Sequence, residues 1–237
     1  VNLTIMALTA RALLGRRRAL LLLPMPVLLI GLTLLATGQG SPVDHWGLVV
    51  FGHLGLGVIL PLTALIVGSS VLGLEIEDGT ITHVLTKPLP RSEIVLSKLA
   101  VAWAVTTVAT ALPLLVAGFI AGSAALAVGL ALGALVGALA YSSVFLALSI
   151  MSRRPVAVGL VYIMLWENLL VQFVSGAKVL SVQQYAASLA DGISGGTLLG
   201  ATLPSVAAGV LAAAFIVVGA ALATSRLRSF TLAGETT

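Results

Sequence analysis

Six long apolar runs dominate this chain, at 19–37, 47–72, 99–121, 124–151, 156–174 and 204–224. A helix needs about 20 consecutive apolar residues to cross the hydrocarbon core of a bilayer, and each run meets that length. Only His53 in the second run and Glu167 in the fifth interrupt them with a histidine or a charged side chain. The runs are continuous and lack the period-two alternation of membrane barrel strands. The expectation is an all-α membrane protein with six transmembrane helices, forming a single domain over 1–237. Composition closes the other routes. The 237 residues carry 12 Lys and Arg and 8 Asp and Glu, far short of the roughly one quarter of charged residues in a soluble domain. Disorder needs the opposite balance, with high charge and few apolar residues. With no cysteine in the chain, disulfide and thiolate chemistry are excluded.

A net charge of +4 points to nucleic acid in a soluble protein, but its placement here reads differently. Arg11, Arg16, Arg17 and Arg18 precede the first run, and Lys87, Arg91 and Lys98 lie between the second and third. Arg153 and Arg154 lie between the fourth and fifth, and Arg226 and Arg228 follow the sixth. With six spans, every basic residue except Lys178 falls on one face. The positive-inside rule makes that face cytoplasmic, with both termini on it. This predicts a multi-pass protein of a bacterial cell membrane, in contact with lipid and not with nucleic acid. Arginines before an apolar run also open a signal peptide. The first run exceeds the usual core of about 7–15 residues and further spans follow, so it reads as an uncleaved anchor.

The segments outside the runs carry local signals. Leu3, Met6, Ala7, Ala10, Leu13 and Leu14 repeat at helical spacing. With the arginines beside them they predict an interfacial helix within 1–18, lying along the cytoplasmic membrane surface. The outer link 175–203 holds Ser181 and Gln184 in the S-x-x-Q spacing of a capping box. Val182, Tyr185, Ala186 and Leu189 then recur at helical spacing, and Gly192 supplies a stop. A short amphipathic helix at 181–191 is expected, interfacial or re-entrant at the outer leaflet.

The largest cytoplasmic connection is 73–98, GLEIEDGTITHVLTKPLPRSEIVLSK. Glu75, Glu77 and Asp78 cluster at its start and Gly79 breaks the chain. Residues 80–86 can form two helical turns with Ile81, Val84 and Leu85 on one face, ended by Pro88 and Pro90. Ser92 can cap the following helix, and Lys98 can snorkel at its base. Reversing direction alone needs far fewer residues. A small amphipathic helix held between a membrane helix and a proline break suits docking into a groove on a cytoplasmic partner.

This segment resembles the permease subunits of ABC exporters of the ABC-2 type, in which the second and third spans are joined by a stretch reading roughly E-x-E-x-G-T-x-x-x-L-L-x-x-P-x-x-R-x-x-I-x-x-x-K. Glu75, Glu77, Gly79, Thr80, Leu85, Pro88, Arg91, Ile94 and Lys98 fall in register. Val84 replaces a common leucine and Ser97 a common glycine. The layout of interfacial helix, six spans and long outer link agrees with that family. The resemblance implies that the permease forms a dimer, homo- or heteromeric, above two ATPase subunits. The helix after span two would be the coupling helix, with Glu75, Glu77, Asp78, Gly79, Thr80, Ile81, Val84, Leu85, Pro88 and Arg91 as coupling residues. One point stands without the resemblance. A P-loop needs Gly-Lys-[Ser/Thr], but the three lysines follow Thr86, Ser97 and Ala177. No nucleotide cofactor is expected on this chain, and ATP with Mg²⁺ would sit on the partner ATPase.

Within the spans, a carboxylate costs roughly 2.5–3.5 kcal/mol on insertion scales, so Glu167 should face protein or water. Counted from the outer ends of their runs, Glu167 and His53 lie about 10 and 9 Å deep. Glu167, Asn168, Gln172 and His53 are therefore expected to form a polar cluster lining the pathway or its outer gate. The competing reading is a structural hydrogen-bond pair. Gly129, Gly133 and Gly137, extended by Ala125, form a small-residue packing face. Its partner is not readable. Pro24, Pro26, Pro61 and Pro113 are candidate kinks.

Two motifs point to enzymes and fail on chemistry. Gly192-Ile193-Ser194-Gly195-Gly196 matches G-x-S-x-G, but no histidine follows Ser194 to act as base. Glu75, Glu77 and Asp78 can suit Mg²⁺. The further aspartates of a membrane CDP-alcohol phosphotransferase have no counterpart downstream. The remaining alternatives are a membrane-embedded enzyme, or a secondary transporter or structural subunit. The first lacks a catalytic set, and the second lacks the internal repeat usual in such carriers.

Overall fold

The computed structural model describes residues 3–15, 22–77, 90–152 and 154–229. Helix α1 is Leu3–Leu14 and α2 is Pro24–Gly38. Helix α3 runs without a break through Val43–Gly47, Leu48–Ile59 and Leu60–Glu77. Helix α4 is Arg91–Ile120 and α5 is Ala124–Met151. Helix α6 joins Pro155–Val161, Tyr162–Leu170 and Val171–Phe173. A 3-10 segment, Ser175–Leu180, leads to α7, Val182–Ser194, and α8 is Ser205–Ser229. The middle stretches of α3 and α6 are π-helical.

Among the described residues, four helices are long and apolar enough to cross a membrane: Val43–Gly73, Arg91–Ile120, Ala124–Met151 and Ser205–Leu227. Pro24–Gly38 and Pro155–Leu170 are apolar but shorter. The first expected run appears as a shorter helix that starts only at Pro24, whereas the fifth is helical over its expected length in three contiguous stretches, Pro155–Val161, Tyr162–Leu170 and Val171–Phe173. Pro24 and Pro26 open α2 rather than kinking it, because proline fits the first helical turn, where no N–H bond is lost.

Helix α5 is the hub, packed by α3, α4, α7 and α8. The α4–α5 hairpin turns at Gly122, which has φ 84°, and Ser123 caps α5 by accepting from the Leu126 amide at 3.2 Å. At this hairpin a Cβ on Gly118 would lie 2.4 Å from Ala127 Cα, so only glycine permits the approach. One core layer gathers around Phe51, Leu60, Tyr141, Phe145 and Tyr185. A second layer holds Val71, Ile94, Leu99, Leu146 and Leu227. The outward faces of α2 and α8 are apolar, with Val27, Leu35, Val206, Val210 and Val217 all exposed. An apolar surface of this extent marks contact with lipid or protein.

Several local expectations shift in the folded chain. Helix α1 covers the expected interfacial segment, but Ile5, Thr9 and Leu13 form its inward edge while Leu3 and Ala7 stay exposed. Helix α4 starts at Arg91 with Pro90 as its N-cap, not Ser92, because extended Pro90 already offers its carbonyl to the Glu93 amide at 2.9 Å. Lys98 does not snorkel. It is 1% exposed, and its Nζ donates to the Val71 carbonyl at 3.0 Å. Helix α7 continues past Gly192 to Ser194 and ends at Gly195 in the left-handed conformation, φ 70°. Gly192 serves close packing instead, since a Cβ there would lie 2.7 Å from Ser205 Cβ. Ser194 donates to the Asp191 carbonyl at 3.2 Å, which makes the G-x-S-x-G match a helix end.

Candidate functional site

The polar chemistry of the bundle concentrates where α7 begins. Ser181 caps α7, and its Oγ accepts from the Gln184 amide at 3.2 Å. The Gln184 side chain does not complete the capping box, and its Oε1 is buried without a hydrogen-bond partner. Glu167 comes in from α6 instead. Ser181 Oγ donates to Glu167 Oε2 at 2.5 Å, and the Val182 amide donates to Oε1 at 3.0 Å. The Tyr162 hydroxyl donates to Oε1 at 3.2 Å.

Glu167 is 2% exposed. A buried carboxylate is tolerable only when hydrogen-bonded. Three donors and the positive end of a helix dipole meet that need here. The location is deep. Tyr141 of α5 sits beside the carboxylate, about 15 Å from the Met151 end of α5 and about 25 Å from the Ala124 end at 1.5 Å per residue. Helix α7 therefore starts inside the bundle and does not lie flat on its outer surface.

Small residues make this seat possible. A Cβ on Gly129 would lie 2.5 Å from the Ala190 carbonyl oxygen, and one on Gly133 would lie 2.3 Å from that of Ala186. A Cβ on Gly137 would meet Leu60 at 2.8 Å and Ala186 at 3.2 Å. The glycine row thus faces α7 of the same chain, backbone against backbone. On another side of α7, Gln183 Nε2 donates to the Gly52 carbonyl at 3.1 Å, within the π-helical stretch of α3. Gly57 leaves room for it, since a Cβ there would lie 2.7 Å from that nitrogen. The first turn of α7 therefore touches the π stretches of both α3 and α6.

The segment leading into α7 is held as well. The Trp166 indole donates to the Leu180 carbonyl at 3.2 Å, and the Tyr185 hydroxyl donates to the Val179 carbonyl at 2.5 Å. Tyr185 also meets Phe215 of α8 edge to face at 5.7 Å. At the far end, Asp191 accepts from the Leu199 and Ala201 amides at 3.1 and 3.2 Å, pinning the link to α8. Leu180 lines an apolar cavity of about 450 Å³ between α5 and α8, with Val144, Leu148, Met151, Phe215 and Leu222. That lining suits hydrocarbon and offers a polar ligand nothing.

Of the expected polar cluster, the structure places only Glu167 at this junction. His53 lies on the π stretch of α3 but is exposed, and no hydrogen bond of Glu167 goes to it; α3 reaches the junction through Gln183 and Gly52. Asn168 turns to its own helix, donating to the Ile163 carbonyl at 2.9 Å. Gln172 lies on Val171–Phe173, with its side chain outside the described residues. Of the coupling residues, Glu75 and Glu77 end α3 and Arg91 begins α4. Asp78, Gly79, Thr80, Ile81, Val84, Leu85 and Pro88 lie outside the described residues. Tyr141, Tyr162, Gln183 and Asp191 also serve the junction or the far end of α7, and neither spacing nor charge singles them out in the sequence. A tyrosine inside an apolar span was the available signal, because a buried phenol needs a partner.

Among known proteins, a family described as ABC-2 family transporter protein matches residues 16–165. The match covers α2 to α5 and α6 as far as residue 165, just short of Glu167, so α7 lies beyond it. No curated protein matches the chain.

Proposed function

The chain belongs to the ABC-2 family of transporter proteins, and from that premise we propose that it is the transmembrane permease subunit of an ATP-driven exporter. Two permease subunits, identical or homologous, form the pathway, and two separate ATPase subunits beneath them hydrolyse ATP with Mg²⁺. Both termini face the cytoplasm, and α2 and α6 complete a six-span layout with the four longer helices. The connection 73–98 docks the ATPase through its amphipathic helix. Rigid-body movement through that helix tilts the spans between inward and outward access.

The observation that carries this reading is the family match over 16–165, which includes the whole 73–98 connection. The acids and Arg91 support it by their chemistry, since charged groups at a docking surface set partner and register. The test is copurification of the full chain from its native membrane. A P-loop ATPase should copurify, and the triple charge reversal Glu75→Lys, Glu77→Lys, Arg91→Glu should weaken its retention. An unchanged complex in the reversed variant would contradict the docking role.

A further inference from the structure

The cavity of about 450 Å³ between α5 and α8 is half-enclosed. Along α8, Leu211, Phe215, Val218 and Leu222 recur at i, i+4, i+7 and i+11 and form one wall. Ala147 of α5 is buried at the floor, whereas Met151, Leu180, Val218 and Leu222 are exposed at the rim. A Cβ on Gly219 would lie 2.6 Å from Ser143 Oγ, so α8 presses directly on α5 there. The cavity is therefore a groove that opens toward the apolar surroundings of the bundle. From Leu211 to Leu222 it runs about 16 Å at 1.5 Å per residue. One leaflet of a bilayer core is about 15 Å deep, half of the full thickness.

Charge marks one end of this groove. Ala208 and Ala212 join the first core layer with Leu130 and Ala134, and Ala223 and Leu227 join the second with Leu146 and Ile150. Helices α5 and α8 thus run in the same direction. Arg226 follows Leu222 by four residues, on the same helical face. Arg154 follows Met151 by three, at the start of α6. Both arginines are exposed, and no Asp or Glu lies within 144–154 or 205–229.

We propose that this groove is a binding site for one acyl chain of an anionic phospholipid, with the headgroup phosphate held by Arg154 and Arg226. An apolar slot about one leaflet long, ending at two cations, has both halves of that ligand's chemistry. Guanidinium groups suit the phosphate because their planar fork donates in pairs. Basic groups between membrane helices at the cytoplasmic side are suited to anionic headgroups in this way. A second copy of this chain is the weaker occupant. It would share the orientation of the first in the membrane and set basic ends against basic ends, which repel. The site goes beyond the permease reading and needs only that the chain lies in a bilayer, so it stands or falls without the ATPase.

The full chain is purified in mild detergent, and native mass spectrometry follows retention of added phosphatidylglycerol and phosphatidylcholine with matched acyl chains. The native chain should hold one phosphatidylglycerol about tenfold more tightly than phosphatidylcholine. Arg154→Gln with Arg226→Gln should remove that preference and leave phosphatidylcholine retention unchanged. Ala214 lines the groove and is exposed, so Ala214→Phe fills the groove from outside. Both lipids should then bind about tenfold more weakly. Val206 is exposed on the same helix and outside the groove, and Val206→Phe should hold phosphatidylglycerol as the native chain does. Equal retention of the two lipids by the native chain overturns the proposal, as does a preference that survives the double arginine substitution. Phosphatidylglycerol retention that Ala214→Phe leaves unchanged overturns it too, and a dimer lost in that variant would then assign the groove to a second copy. Photo-crosslinking reads the site without a substitution. Phosphatidylglycerol carrying a diazirine in its acyl chain, in vesicles with the native protein, should mark 144–151 and 211–222. Adducts confined to other helices overturn the assignment.

Discussion

At the scale of single residues, several buried polar groups in this bundle hold backbone. Asp191 is the plainest case. Its two carboxylate oxygens take the Leu199 and Ala201 amides, so it fixes the link between α7 and α8. Hydrogen bonds to a charged group are worth about 1.5–3 kcal/mol each. Asp191→Ala should therefore lower the thermal unfolding temperature in detergent and raise proteolysis within 195–204. Asp191→Asn keeps one acceptor oxygen and should fall between Asp191→Ala and the native protein. Equal stability of all three would mean that the two bonds contribute nothing. Lys98 also reaches backbone, its buried ammonium donating to the Val71 carbonyl across the α3–α4 contact.

At the scale of elements, the pairing of α5 with α7 depends on missing side chains. A Cβ at Gly133 would sit 2.3 Å from the Ala186 carbonyl oxygen. That oxygen belongs to a helix backbone and cannot rotate away, so Gly133→Ala must push α7 off. Overpacking of this kind costs about 1–3 kcal/mol. Gly31 in α2 has nothing within 4 Å of the corresponding position, and alanine there should be neutral or stabilising by up to about 1 kcal/mol. Thermal unfolding of the two variants in detergent separates the cases. If Gly133→Ala unfolds no earlier than Gly31→Ala, the close seat of α7 is wrong. The π stretches are a further element-scale feature. The one in α3 ends at Ile59, just before Pro61, whose missing amide hydrogen already removes one ladder bond. The one in α6 carries Glu167, and π turns of this kind are frequent at functional sites.

At the scale of the whole molecule, charge argues for an orientation. In the proposed six-span topology every basic residue but Lys178 falls on one face, which puts the α5–α6 turn in the cytoplasm and the α2–α3 turn outside. A thiol at Gln39→Cys should react with a membrane-impermeant maleimide in intact cells. One at Arg154→Cys should react only after permeabilisation. The reverse pattern would invert the protein. Both positions are exposed, so access depends on the side of the membrane and not on burial. Glu167, α7 and the hub helix lie between these two sets of helix ends.

The sequence by itself determined that this is a helical membrane protein, where α5 runs, that a helix begins after Ser181, and which family it resembles. Apolar length, caps and a compact motif are local properties, and a chain displays them before it folds. The amphipathic pattern of α1 was also legible, though not which edge of it faces the bundle. Tertiary structure alone decided that the glycine row of α5 seats α7, that Lys98 is buried, that Gly192 is a contact and not a stop, and that α3 meets the junction through Gln183 rather than His53. It also decided that Glu167 caps a helix that begins fourteen residues later in the chain, at Ser181. These depend on which surfaces meet when remote segments pack, and neither spacing nor propensity records the partner of a buried polar group.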